Sequence, residues 1–426
     1  MKVLIISHNP VTNQSNMGKT FMSLFSGFES HELCQLYIYP TLPNSHYCGS
    51  YYRITDKQVV KSLLKLKHPG GEIRPDQIRE DQQAYEDAGD ESLYRSRKNK
   101  SALRRLGRDA LWRLSRWYGP ELKKWLEREA PDCIFVAPGV AKFIHNFALR
   151  IAKDRKIPIV TYVCDEYYFV KKPDSWLDRL RLCLLQRKIE KLMVNTAHLV
   201  AISDELKEDY GEKFAVPVTK LMTGAGIAAA SSPKKTESPN TIRYFGNIRC
   251  NRFVSLGEIG CELDAINREM GTDYRLEIFT AEKNSQILDS LRCYQSIRLC
   301  SFVSGAEFVK TLEESQLLLH VEAFDEASVD YVKHSVSTKI ADSLASGIPF
   351  LAYGPACISS MLHLRRNDCA ITAVSREELR DMLLTAFTDA DDRDRVVGNA
   401  LATARIYHDT KVTGEQLRQI LEGVCG

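Results

Sequence analysis

At 426 residues and 48.4 kDa the chain is too long for one comfortable core, and 44% hydrophobic with 27% charged residues is ordinary globular composition. Lys plus Arg (58) against Asp plus Glu (55) leaves a formal net charge of +3, which excludes a polycation that binds nucleic acid with its whole surface. The 12 cysteines are dispersed without a Cys-x-x-Cys pair, so buried reduced thiols are expected in place of a zinc site or disulfide framework. No stretch approaches the roughly 18 apolar residues of a membrane-spanning helix, and the opening lacks the pattern of a secretory signal, which together predict a cytoplasmic location.

In chain order, "MKVLIIS" is a strand, "GKTFMSLFSGF" a helix and "CQLYIYP" a second strand. Residues 53–92 are polar and turn-rich and receive no assignment. A helix follows with Leu103, Leu106, Ala110, Leu111 and Leu114 along one side, and then the strand "CIFVAP". Two further helix-turn-strand units contain "IPIVTYVCDEYY" and "HLVAISDEL", where Ser203 reads as a helix cap. Strands alternating with helices imply parallel sheets, so the first half is a Rossmann-like unit. Between Ile227 and Asn240 "IAAASSPKKTESPN" has the composition of a linker. The alternation then restarts with "TIRYFGN", "LEIFT", "IRLCSFV", "LLLHVEAF" and "IPFLAY". The expected organisation is an N-terminal domain over 1–226, to which 407–426 returns, a linker over 227–240, and a second domain over 241–406.

The chemistry concentrates in "HSVSTKIADSLASGIPFLAYGP". Ser337 and Thr338 open a helix that Gly347 and Pro349 end, so hydroxyls, backbone N–H groups and the Lys339 cation gather at the positive end of a helix dipole. That is a site for a diphosphate. Asp342, one turn on, shares that face. Gly246 and Asn247 end the strand "YFGN", with Arg249 and Arg252 after them, and ligands of parallel sheets collect at the carboxyl ends of strands.

With these residues the chain resembles the retaining, family 4 type of glycosyltransferases with the GT-B fold: α/β, with two Rossmann-like domains whose parallel sheets face across a cleft. The resemblance rests on the "GKT" turn, "PDCIFVAP", "IPIVTYVCDEYY", "VAISDELKEDYGEKF", "YFGNIR", the "STKIADSLASGIPFLAYGP" block and the closing "ARIYHDTKVTGEQLRQILEGV". It implies a nucleoside diphosphate-sugar donor whose diphosphate meets Arg252 and Lys339, with Gly18, Gly246, Asn247, Ser337 and Thr338 as neighbours, Asp342 toward the ribose, and Phe302 and Val303 beside the base. It implies no cofactor and no metal, and the sequence carries no Asp-x-Asp motif. One departure stands out: the family's first acid in this block falls on His334, for which Glu322, Asp325 and Asp330 are substitutes.

Asp165, with Glu166, ends a strand of the first domain where a carboxylate positions an acceptor hydroxyl. Residues 95–116 carry nine Lys or Arg against the single acid Asp109, beside Trp112 and Trp117, and suit a helix on anionic lipid. A lipid-linked glycan acceptor at the inner membrane face is therefore expected. Two other readings remain open: a nucleotide triphosphatase using Lys19 and Asp165, in which Asn13 takes the first glycine position of the phosphate loop, and a silent nucleotide-sugar-binding protein. His8, at the end of the first strand, is read as a loop histidine of no consequence, with a place at the cleft as the alternative, and His408 is expected to be structural.

Overall fold

The computed structural model describes residues 1–12, 16–65, 67–78, 102–169, 173, 175–234 and 239–426. The chain divides into two compact units, Met1–Met222 with Thr413–Gly426, and Thr223–Val412.

The first unit is built on an eight-stranded sheet of β1 (Val3–Ser7), β2 (Leu33–Tyr37), β3 (Ser50–Arg53), β4 (Gly71–Ile73), β5 (Cys133–Val136), β6 (Ile159–Val163), β7 (Thr196–Ala201) and β8 (Val218–Lys220). Its order is β4-β3-β2-β1-β5-β6-β7-β8, parallel throughout except for β4, which pairs antiparallel with β3. A parallel strand covered by helices on both faces must be apolar on both faces. β1 shows this directly: Val3 and Ile5 join the core on one side of the sheet, and Leu4 and Ile6 join the core on the other.

The second unit repeats the plan with β9 (Thr241–Phe245), β10 (Arg275–Thr280), β11 (Ile297–Ser301), β12 (Leu317–Val321), β13 (Phe350–Tyr353) and β14 (Ile371–Ala373). The order is β11-β10-β9-β12-β13-β14, and every pairing is parallel. This is the α/β, two-sheet architecture expected from the sequence.

Four details differ from the sequence reading. Residues 53–65 and 67–78 are structured, with helix Asp56–Lys65 and strand β4; residues 79–92 lie outside the described residues. The residues 227–234, read as linker, pack on the second unit: Ala230 N–H donates to Ala345 O at 2.8 Å and Lys234 N–H to Gly347 O at 2.7 Å. Gly347 has φ +71°, and a Cβ there would lie 2.9 Å from Ala230 Cβ, so this glycine both ends its helix and admits the segment.

In the helix Ala102–Leu114 the residue that turns inward is Trp112, which the sequence reading placed at a lipid interface. Leu103, Leu111 and Leu114 are 66%, 39% and 69% exposed, whereas Trp112 is buried. The Trp112 ring stacks on Phe143 at 4.1 Å, and its indole N–H donates to Asp56 at 2.7 Å, where Arg108 also binds at 2.9 Å. An aromatic with a satisfied polar edge displaces three leucines from the interior. Trp112 is thus a core residue and not an interfacial one. Finally, all 12 cysteines are free, but Cys261, Cys293, Cys357 and Cys425 are exposed where burial was expected.

The final helix Thr410–Cys425 returns to the first unit, where Leu417 and Leu421 enter the core. Gly414 lies against Gly27: a Cβ on Gly414 would sit 2.9 Å from Gly27 N, so the two backbones approach as only glycine allows. Arg418 seals the contact on Glu32 at 2.7 Å and holds that carboxyl down to about 2, chiefly through its hydrogen bonds.

Candidate functional site

The residues singled out in the second half of the sequence gather at the carboxyl-terminal edge of the second sheet. β9 ends in Gly246 and Asn247, and the turn behind them places both Cys250 and Asn251 in the left-handed region, at φ +53° and +55°. Two consecutive non-glycine residues held there represent stored strain, which clusters at functional turns. The turn delivers Arg252 as the first residue of helix Arg252–Met270. Ser255 anchors that helix by donating to Glu322 O at 2.9 Å, and Ser328 ties the turn by donating to Cys250 O at 3.1 Å.

Arg252 is held in place by Glu322. Its Nε and one terminal N–H group each donate to a carboxylate oxygen at 2.8 Å, and the other terminal nitrogen donates to Asn247 Oδ1 at 3.0 Å. Three of five guanidinium N–H groups are so engaged, leaving two to point elsewhere. Burial works against the Arg252 charge, but the Glu322 carboxylate outweighs it and holds the guanidinium above its ordinary range. Burial likewise pushes the Glu322 carboxyl upward, against the pull of Arg252 and Lys339.

Lys339 arrives from the helix Thr338–Ala345, capped by Ser337. Its ammonium occupies the space where Gly246 would carry a side chain: a Cβ there would lie 2.5 Å from Lys339 Nζ and 3.2 Å from the Tyr244 hydroxyl. That is the physical reason for glycine at the end of β9. Tyr244 in turn donates to Asn247 O at 2.7 Å. The Ser337 hydroxyl makes no capping bond to its own helix.

His320 lies beneath the two cations. It is buried, its Nε2 is 3.6 Å from Glu322 Oε1, and that nitrogen has no hydrogen-bond partner among the described residues. Burial first, then the charges of Arg252 and Lys339, push its pKa down to about 3, so the ring is neutral. His320 and Tyr244 escaped the sequence reading. The available signal was a His and a Glu two residues apart in the apolar run "LLLHVEAF", a spacing that places both on one face of a strand.

The structure therefore brings Gly246, Asn247, Arg252, Lys339 and Glu322 together, with Ser337 and Thr338 at the start of the same helix as Lys339. Asp342 is one turn further, and its Oδ1 accepts the Gly226 N–H at 2.7 Å. His334 is buried. Asp325 accepts from Ser328 N–H at 3.1 Å and Asn251 at 3.0 Å, as the cap of its own helix. Phe302 and Val303 follow β11 at the same sheet edge; Phe302 is 56% exposed and Val303 packs against the core cluster that includes Phe245.

In the first unit Gly18 is buried in the helix Asn16–Leu24 that follows β1, and Lys19 is exposed. Asn13, the first position of the triphosphate-loop pattern, lies outside the described residues. Asp165 follows β6 and accepts from the Tyr167 hydroxyl at 2.9 Å. Glu166 instead accepts the backbone N–H groups of Tyr168 and Phe169, closing its own turn. His408 is structural: it bonds His363 at 3.0 Å and Thr223 O at 2.8 Å.

No protein-family model matches this sequence, and no curated protein does. Solved structures do. HepE from Anabaena in complex with UDP aligns at TM-score 0.61 and 11% identity over 99% of this chain and 100% of that one. The α,α-trehalose-phosphate synthase (UDP-forming) of Burkholderia xenovorans, in complex with glucose-6-phosphate, aligns at 0.61 and 9% over 99% and 100%. Sucrose-phosphate synthase from Thermosynechococcus elongatus aligns at 0.61 and 9% over 100% and 99%. The full-length superposition on these enzymes, at identities this low, is a likeness of architecture: the chain has the GT-B fold of nucleotide-sugar-dependent glycosyltransferases.

Proposed function

We propose that the protein is a retaining, metal-independent glycosyltransferase that moves a sugar from a nucleoside diphosphate donor to a lipid-linked glycan at the inner membrane face. The observation that carries this reading is the approach of Lys339 Nζ over Gly246, beside the Glu322-anchored Arg252, at the carboxyl edge of β9 and β12. Two fixed cations and the start of a helix form a preorganised receptor for a diphosphate, and the charge developing on that leaving group meets them without reorganisation. Asn247, Ser337 and Thr338 supply hydrogen bonds, Asp342 steadies Gly226 on the ribose side, and Phe302 with Val303 flanks the base. Gly18 and Asp165 serve donor and acceptor from the first unit, Asp165 orienting the acceptor hydroxyl.

The complexes of HepE with UDP and with UDP-glucose make UDP the first ligand to test. A ligand that binds only the native state raises its melting temperature. UDP is expected to stabilise the wild-type chain in a thermal melt and to leave Lys339→Ala unmoved at the same concentration. Equal stabilisation of both would end the diphosphate assignment. The anomeric configuration of the first product, read by NMR, tests retention.

A further inference from the structure

The first unit has a polar cavity, of about 1040 Å³, at the edge of its sheet opposite Gly18 and Asp165. Ile157 and Ile159 lead into β6 and Asn195 precedes β7, so the cavity opens at the amino-terminal edge. Helices that connect parallel strands run the other way, and three of them end here: Ala102–Leu114, Lys142–Arg155 and Trp176–Val194. Their last turns and the residues just beyond contribute Arg113 and Arg116, then Arg150, Lys153 and Lys156, then Lys191, and Lys123 joins from helix Pro120–Glu129. Among the described residues no Asp or Glu lines the cavity.

Basic residues at helix ends have an ordinary explanation, since each C-terminus carries roughly half a negative charge. Three ends offset only about 1.5 of seven positive charges, and counting Asp154, which accepts from the Tyr118 hydroxyl at 2.6 Å behind the rim, leaves a surplus of about four. The crowding reaches Lys188 behind the cavity. Burial and then the charges of Lys191, Arg113 and Lys142 lower its pKa, while its Nζ donates to the lining residue Asn146 at 2.8 Å. Lys123 and Arg150 both lie over the Tyr118 ring, at 5.2 and 5.5 Å from its centroid, so two of the cations are held in place before any ligand arrives.

We propose that this cavity is an anion site for a multiply charged phosphoryl group, separate from the donor site. Seven cations around one open volume with no acid among them match a ligand that carries two or more negative charges on a compact group. Leu114 and Val194, 69% and 86% exposed at the ends of two of the converging helices, stand next to the cationic lining residues, an arrangement suited to a phosphate presented by a lipid headgroup. The inference does not depend on the glycosyltransferase reading.

Two probes distinguish the sources: inorganic pyrophosphate, followed by calorimetry, and phosphatidylcholine vesicles with or without phosphatidic acid, whose phosphomonoester headgroup ionises twice, followed by cosedimentation. The full-length chain is expected to bind at least one of them with an affinity that falls as salt is raised. Arg116→Glu/Lys153→Glu/Lys191→Glu is expected to weaken that binding by about tenfold or more while UDP stabilisation is retained, and the milder triple change to Gln serves if the first fails to fold. Pyrophosphate binding alone identifies a soluble phosphate ligand, and binding only to phosphatidic acid vesicles identifies a lipid headgroup. The proposal is overturned if the chain binds neither probe, if the triple variant binds as tightly as wild type, or if Lys339→Ala abolishes pyrophosphate binding.

Discussion

Gly246 and Lys339 are separated by more than ninety positions in the chain, yet one exists to make room for the other. Adding a methyl group at Gly246 puts a carbon where the Lys339 ammonium now sits, 2.5 Å away, against the Tyr244 hydroxyl on its other side. Lysine's flexible stem can swing clear, so folding should survive while the cation leaves its position. Gly246 also has φ +156°, which alanine adopts only with strain. Gly246→Ala is therefore expected to lower UDP affinity by about 10- to 100-fold, the equivalent of one charge-assisted hydrogen bond, and to lower the ligand-free melting temperature, the strained backbone costing about 1–3 kcal/mol. Titration calorimetry beside a thermal melt checks both halves. Phosphate-binding residue types at a helix start were legible from "STK" and "YFGN". Their partnership with Glu322 and with a neutral His320 was not, because that buried ion pair joins the start of a helix to the residue after a strand 70 positions away.

At the scale of elements, the helix Ala102–Leu114 teaches the most. Its leucines share one side by helical spacing, yet that side faces outward and the interior is occupied by Trp112 on Phe143 with Asp56 satisfying the indole. Trp112→Ala should cost about 3–5 kcal/mol of stability, as removal of a large buried aromatic does. Leu114→Ser on the exposed face should fall within about 0.5 kcal/mol of wild type. Urea denaturation of the two variants distinguishes this orientation from the reverse, in which Leu114 would be the costly loss. Strands buried on both faces, such as "VLIIS" and "LLLHV", were legible because they are continuous apolar runs. The short edge strands β4, β8 and β14 were not, since three residues carry no periodicity and acquire strand geometry only by pairing with a neighbour.

At the scale of the whole molecule, one buried histidine in each unit, His145 and His320, is held neutral by burial. His145 in the first is pushed down to about 4 and His320 in the second to about 3, by burial in both cases. Both rings take up a proton near pH 6.5 when unfolded and refuse it when folded, so the unfolded state binds more protons below that pH. Stability is then unaffected above about pH 7 and falls as pH drops from about 6.5 toward 4, by up to roughly 1.4 kcal/mol per pH unit for each ring. Chemical denaturation between pH 7 and 4.5 should show this slope, and His145→Gln should flatten it for the first unit. A flat profile in wild type would mean that these rings charge without penalty.

The alternation of the longer strands with helices, the existence of two α/β units and the residue types of the proposed diphosphate site follow from the amino-acid sequence alone, because apolar runs, helix caps and glycine stops act over a few neighbouring residues. Tertiary structure decided which face of helix Ala102–Leu114 turns inward, which carboxylate holds Arg252, and that seven basic residues from four helices surround one cavity. Those outcomes depend on distances between residues far apart in the chain, and such distances are set by how the layers pack and not by any local pattern.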